Sequence, residues 1–214
     1  FVTAMVLHGA ELHRDEFELY DGKAVFADGT EFECDTIVAC TGFKNIFPMF
    51  DQYHPEIAWH GQNPRTNYKQ VLSIDHPGEI VFFGFARPAF GSVPPTVEMQ
   101  TRFFTMILNG EITLPSKEEM TKVAADDKLD WENRFGYDAK RVIGLVDYQV
   151  YTDGLAKCMG VMPPLMFLFF TNFPVWYKVM FGPFTVHQYR LRGPHARFER
   201  ARDVYSRTPV GDWI

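Results

Sequence analysis

Two short apolar runs, each ending at a glycine, constrain this chain more than any other feature. TIVAC leads into Thr41-Gly42, and EIVFFGF, from Glu79 to Phe85, breaks at Gly84. Continuous apolar runs of this length suit strands buried on both faces, which need other layers to cover them. Ahead of the first run, Asp21-Gly22 and Asp28-Gly29 separate segments in which apolar and polar residues roughly alternate. Asp-Gly supplies the positive φ of a tight hairpin, so residues 17–43 are expected to form a small β-meander whose third run ends in TIVAC. Residues 44–78, rich in Pro, Gly, Asn and His, read as loop with at most short elements, and His76-Pro77-Gly78 reads as a turn.

The helical signals lie beyond Gly84. A helix is expected from about Pro95, with Val97, Met99, Phe103, Ile107 and Leu108 at helical spacing and Asn109-Gly110 as its end. Ser116 and Glu119 form a capping box for a second, largely charged and solvent-exposed helix reaching about Phe135. A third, Asp147 to Met159, puts Tyr148, Tyr151, Leu155 and Met159 on one face and closes at Gly160. From Val161 to Tyr177 no charged residue interrupts the chain, yet Pro163, Pro164, Pro174 and the polar pair Thr171-Asn172 argue against a membrane-spanning helix, which needs roughly 20 apolar residues. A buried wrap-around, or a surface over residues 161–184 that dips into a bilayer, fits the pattern better.

Composition excludes several classes. The 214 residues, 46% hydrophobic and 22% charged, are enough for a sizeable core. A formal charge of −6 disfavours nucleic acid as a partner, because phosphate neutralisation needs clustered cations. Cys34, Cys40 and Cys158 form no CxxC pair, so neither a disulfide framework nor a zinc site is expected, and a reducing, intracellular setting fits. The chain opens on Phe1 without the basic segment, apolar run and small-residue cleavage site of a signal peptide, and is expected to be a piece of a longer protein. It contains no GxGxxG, P-loop, HExxH or GxSxG and no dense His/Asp/Glu cluster. No catalytic side chain and no metal ligand is therefore assigned.

One pattern carries more. CDTIVACTGF sets a buried strand before a Thr-Gly turn, with Phe47-Pro48 following. Further blocks follow in order: NYKQVL (Asn67 to Leu72), IVFFGFARP, EMQTR (Glu98 to Arg102), TLPSKEEM (Thr113 to Met120), VDYQVYTDGLAKCMGV (Val146 to Val161) and FGPFTVHQYRLRGP (Phe181 to Pro194). Across these seven blocks, over about residues 34 to 194, the chain resembles the C-terminal portion of flavin-containing monooxygenases of the N- and S-oxygenating, dimethylaniline monooxygenase type. It departs from them in Phe43, where the family usually has Tyr, in Arg87, where it often has Gln, and in an RPAFGSVPP loop one residue longer. It departs again in Phe184 to His187, where the family typically has Cys-Ser/Thr-Pro-Tyr, and in ending at GDWI rather than in an apolar anchor. These differences bear on substrate range and membrane attachment more than on the family.

The resemblance implies an α/β chain with part of a two-dinucleotide-binding flavoprotein fold. Residues 1–40 would end the NADP-binding domain and carry the β-meander, and residues 41–214 would supply the C-terminal helices of the FAD-binding domain. It implies FAD and NADP as cofactors and a small-molecule amine or sulfide as substrate, oxygenated through a flavin hydroperoxide by the parent protein. The upstream part of the same protein becomes the partner that holds both pyrophosphates, and the isolated chain is expected to be inactive. Association with the endoplasmic reticulum membrane and a homodimer are left open. In related flavoproteins a helix N-terminus, with its free N–H groups and partial positive charge, faces the pyrimidine side of the ring. Gly84, Phe85, Arg87, Ser92 and Gln100 are accordingly expected near the flavin, with Thr41 and Gly42 at the domain crossover. The plainer alternatives are a helix cap for Ser92, a solvated helix face for Gln100 and a surface charge for Arg87. At the level of the whole protein, the alternatives are a Baeyer–Villiger type monooxygenase and a truncated, non-catalytic module that binds a membrane or a partner.

Overall fold

The computed structural model describes residues 2–14, 16–42, 45–51, 53–136 and 142–209. Phe43 and the terminal GDWI, both noted above as departures, lie outside the described residues. The chain divides into two compact units, Phe1–Lys44 and Asn45–Ile214.

In the first unit, helix α1 (Val2–His8) precedes three antiparallel strands in sequence order, β1 (Phe17–Tyr20), β2 (Lys23–Phe26) and β3 (Glu31–Glu33). The two Asp-Gly pairs make the turns. Tyr20 and Lys23 close a two-residue loop in which Asp21 (φ 43°) and Gly22 (φ 81°) both take positive φ, as a type I′ turn requires. At the second turn the Asp28 carboxylate accepts the Thr30 N–H at 2.8 Å, which holds its carboxyl below the usual range. The third expected run is a correction. Residues 36–40 form no strand, and Ile37 and Val38 are 47% and 77% exposed. A strand buried on both faces needs flanking strands and covering layers, and among the described residues none pairs with TIVAC.

The second unit opens with α2 (Pro48–Asp51), α3 (Pro55–Gln62) and a 3-10 turn at Pro64–Thr66. These are the short elements that the sequence allows within residues 44–78, and Tyr68, Val71, Leu72 and Ile74 there belong to the main core. The chain reverses within a few residues here. Lys69 (φ 51°) and Gln70 (φ 54°) both lie in the left-handed region, and the Tyr68 N–H closes the turn on the Leu72 carbonyl at 2.9 Å. Such a turn buries apolar residues without any regular period. EIVFFGF pairs with this irregular partner through Ser73 N–H to Ile80 O (3.1 Å) and Phe82 N–H to Val71 O (2.8 Å). The result is an isolated bridge between Leu72 and Val81 instead of the expected strand. The regular pairing lies further on, where β4 (Arg87–Pro88) runs parallel to β5 (Leu145–Val146).

Helices form the rest. They are α4 (Val93–Leu108), α5 (Lys117–Phe135), α6 (Tyr148–Cys158), α7 (Leu165–Thr171), α8 (Phe173–Phe181) and α9 (Phe198–Arg207), with a 3-10 turn at Val186–Arg190. The expected Ser116 cap holds, its Oγ accepting the Glu119 N–H at 3.2 Å, and Asp147, expected as the first residue of the third helix, is the N-cap of α6, its Oδ1 accepting the Val150 N–H at 3.0 Å. Tyr151, Leu155 and Met159 are buried together with Met99, Phe103 and Val146. A second, smaller core joins Leu168, Val175, Leu191, Ala201 and Tyr205 under α7, α8 and α9. Asn172 terminates α7 and also caps α8, its Oδ1 accepting the Val175 N–H at 3.3 Å, so one polar residue divides the apolar run. Among the described residues no helix is long and apolar enough to cross a membrane.

Arg102 ties α4 to the C-terminal segment. It is buried, and its Nη1 and Nη2 donate to the carbonyls of Tyr189 (2.8 Å) and Pro194 (2.7 Å). Burial, with a contribution from the Arg190 charge, lowers its pKa to about 10, which leaves it charged at neutral pH. Arg102→Met keeps the apolar stem but strips both carbonyls of their donor, and should cost about 2 kcal/mol. Urea denaturation checks this, and an unchanged midpoint would contradict the clamp.

Candidate functional site

The extended segment 80–83 breaks at Gly84, where φ is +81°, a conformation that side-chain-bearing residues rarely adopt. The Gly84 N–H donates to Gln100 Oε1 at 2.9 Å, and Gln100 Nε2 donates onward to the Tyr151 hydroxyl at 2.8 Å. Tyr151 in turn donates to the Lys69 carbonyl at 2.8 Å. An amide is suited to the middle of this chain because it offers an acceptor and a donor at the same end of one side chain. Gln100 and Tyr151 are both buried, and burial pushes the Tyr151 hydroxyl far above the usual tyrosine range, so it remains a neutral donor. Gln100 therefore sits inside the unit and not on a solvated helix face, and its amide is committed to Gly84 and Tyr151.

The loop that follows is open to solvent. Phe85 is half-buried, with ring centroids 5.7 Å from Phe47 and 6.0 Å from Phe82. Arg87 is exposed, its backbone N–H donating to the Gly144 carbonyl at 2.7 Å, and Phe90 is 89% exposed. Gly91 packs on Tyr148 so closely that a Cβ there would lie 2.8 Å from the ring.

Ser92 is the N-cap of α4, but its side chain makes no capping bond, and its carbonyl accepts from Thr96 Oγ1 at 3.3 Å. The helix starts at Val93, two residues before the expected Pro95. Pro94 and Pro95 then fall in the first turn, and proline has no N–H. The expected row of free N–H donors is reduced to those outside the two prolines, while the helix dipole persists.

Five of the seven expected site residues, Gly84, Phe85, Arg87, Ser92 and Gln100, thus share one turn-and-helix unit. Thr41 and Gly42 belong to the first unit, where both are exposed and Gly42 has φ +81°. Tyr151 and Lys69 were not expected at the site. Tyr151 reads simply as one of the apolar-face residues of α6, and the sequence carries no sign that its hydroxyl would reach the 67–72 turn. Arg102 did carry a signal: it lies three residues after Met99 and four before Met106, a charged residue on the apolar face of a helix.

A family model described as flavin-binding monooxygenase-like matches residues 3–207. A 4-hydroxybenzoate brominase (decarboxylating) of Marinomonas mediterranea is 35% identical over 198 residues, 92% of this chain and 37% of the relative. Dimethylaniline monooxygenase (N-oxide-forming) 2 of Oryctolagus cuniculus is 34% identical over 209 residues, 95% of this chain and 37% of the relative. Flavin-containing monooxygenase 3 of Homo sapiens is 30% identical over 179 residues, 83% of this chain and 32% of the relative. The chain spans about a third of the length of these curated relatives.

The hydrogen-bonded chain makes a direct prediction. Gln100→Leu and Tyr151→Phe should each destabilise the fold by about 1–2 kcal/mol, and the double variant should cost less than the sum, because both break the same link. Chemical denaturation of the three variants tests it, and strict additivity would contradict the coupling.

Proposed function

The chain belongs to the flavin-binding monooxygenase-like family, and from that premise we propose that it forms the C-terminal part of an NADPH- and O2-dependent monooxygenase acting on soft nucleophilic nitrogen or sulfur centres of small molecules. The observation that carries this reading is the bond pair on Gln100, which ties Gly84 to α4 while Arg87 and residues 89–94 stay exposed. A flavin ring has two apolar faces and a polar pyrimidine edge on which negative charge gathers during reduction. Phe85 and Phe90 suit the faces, and Arg87, Ser92 and the positive end of α4 suit the edge. FAD, when bound, supplies the oxygen-activating redox chemistry.

The contribution of this chain is orientation and electrostatics. With Pro94 and Pro95 in the first turn, stabilisation of the reduced ring rests on the helix dipole and Arg87 more than on a row of N–H bonds. Cradling a pyrophosphate takes a glycine-rich loop at a helix N-terminus, and the 214 residues contain no GxGxxG. We assign those loops, for both FAD and NADP, to the part of the relatives that this chain does not cover.

A second reading is favoured by the brominase relatives: oxidative bromination of a hydroxybenzoate by the parent protein. Product analysis of the FAD-loaded, full-length parent separates the two. Under the first reading, NADPH-dependent oxygen uptake yields an N-oxide from a tertiary amine or a sulfoxide from a thioether. A brominated phenol from 4-hydroxybenzoate and bromide, with no N- or S-oxide, would support the second. An ester from a cyclic ketone would contradict both. The 214-residue chain alone should release FAD on gel filtration, and flavin absorbance that co-elutes with it would contradict the assignment of the pyrophosphate loops.

A further inference from the structure

We propose that the cavity between the 3-10 turn at Val186–Arg190 and the first turn of α9 is a binding site for the phosphoryl group of a small organic phosphate. The cavity, of about 300 Å³, is lined by His187, Arg190, Arg197 and Arg200, with Glu98 of α4 as its one acidic residue. Glu98 is already compensated, since its Oε1 lies 3.3 Å from Arg190 Nη2. Arg197 and Arg200 differ, because among the described residues neither has an ion pair. The contrast lies within one helix. Arg202 pairs with Glu199 and Arg207 with Asp203, so the arginines of α9 that find a carboxylate on their own helix are the ones that do not line the cavity.

Positive charge gathers here against the trend of the chain. Residues 186–202 carry five arginines and one carboxylate, Glu199, within a formal charge of −6. Arg102 stands close as well: burial first, and then the Arg190 charge, lower its pKa. Like charges collected at one cavity repel each other, and a bound anion relieves the repulsion. The backbone adds to the attraction. Arg197 is the N-cap of α9 but its side chain makes no capping bond, so the first-turn N–H groups and the positive end of the helix dipole remain for a ligand. The Nδ1 of His187 is buried and has no hydrogen-bond partner either. This donor set favours phosphate over carboxylate. A carboxylate brings one charge in one plane, whereas a phosphate monoester carries close to two and spreads its oxygens tetrahedrally, so it can engage both guanidinium groups and the helix end together. The volume exceeds that of one phosphoryl group and leaves room for an organic portion against Val186 and Ala201. The proposal concerns binding alone and does not rest on the reaction proposed above.

Isothermal titration calorimetry of the full 214-residue chain with glycerol 3-phosphate tests it, at constant ionic strength so that general screening stays fixed. Glycerol 3-phosphate should bind, inorganic phosphate should bind less tightly, and acetate and glycerol should not bind. The Arg197→Ala/Arg200→Ala variant should weaken binding by about thirtyfold. Arg202→Ala/Arg207→Ala removes the same charge from residues that do not line the cavity, and should leave binding unchanged. All four arginines are exposed, so circular dichroism should show both variants folded like the unsubstituted chain. Absence of phosphate binding overturns the proposal, as does binding that the first variant leaves intact or that the two variants weaken equally. Acetate binding as strong as that of the monoester assigns the cavity to a carboxylate, such as an acidic protein segment presents, and overturns it too.

Discussion

A buried amide must find partners at both ends, and in this chain Gln100 meets that requirement by joining elements that are far apart in sequence. Its oxygen takes the Gly84 N–H and its nitrogen reaches Tyr151 on α6, whose hydroxyl continues to Lys69. The helix that carries Gln100, the glycine turn that precedes that helix, α6 and the left-handed turn at Lys69-Gln70 are thereby set relative to one another. The exposed loop between Arg87 and Pro94 inherits its shape from those fixed ends and from the parallel pairing of β4 with β5. Losing the amide would leave polar groups unpaired where water does not reach, and the cost of that state holds the arrangement.

A second tie works at longer range. Arg102, two residues along the same helix, binds the Tyr189 and Pro194 carbonyls and so brings the C-terminal segment onto α4. That segment carries Leu191 and leads into α9, and both contribute to the smaller core. One helix therefore organises both the candidate flavin-facing surface, through Gln100, and the C-terminal layer, through Arg102. Between them the two residues explain why α4 buries an amide and a guanidinium in a face otherwise made of Thr96, Met99, Phe103 and Met106.

What the sequence made legible was local. Ser116 was readable as a cap because capping depends on one side chain and the next few N–H groups. Asp21-Gly22 was readable because few other dipeptides take two positive φ values. The failures share another cause. TIVAC and EIVFFGF look like buried strands, but strand formation depends on partners distant in sequence, and among the described residues the first has none and the second has an irregular turn. Within residues 44–78, the burial of Tyr68, Val71 and Leu72 was not legible, because they follow a turn that leaves no period. At the candidate site the residues grouped around Gly84 were foreseen, whereas the inward direction of Gln100 was not. Its neighbours in sequence do not reveal that a tyrosine on another helix will meet it.

The central proposal is that the turn at Gly84 and the start of α4 form a prearranged wall for the flavin ring. Amide hydrogen exchange on the full-length parent, with and without FAD, tests it most directly. The account predicts that FAD slows exchange over residues 84–97, where the loop is now open, and leaves the Gly84 amide itself nearly unchanged because Gln100 already holds it. Protection confined to other parts of the protein, with residues 84–97 indifferent to FAD, would contradict it.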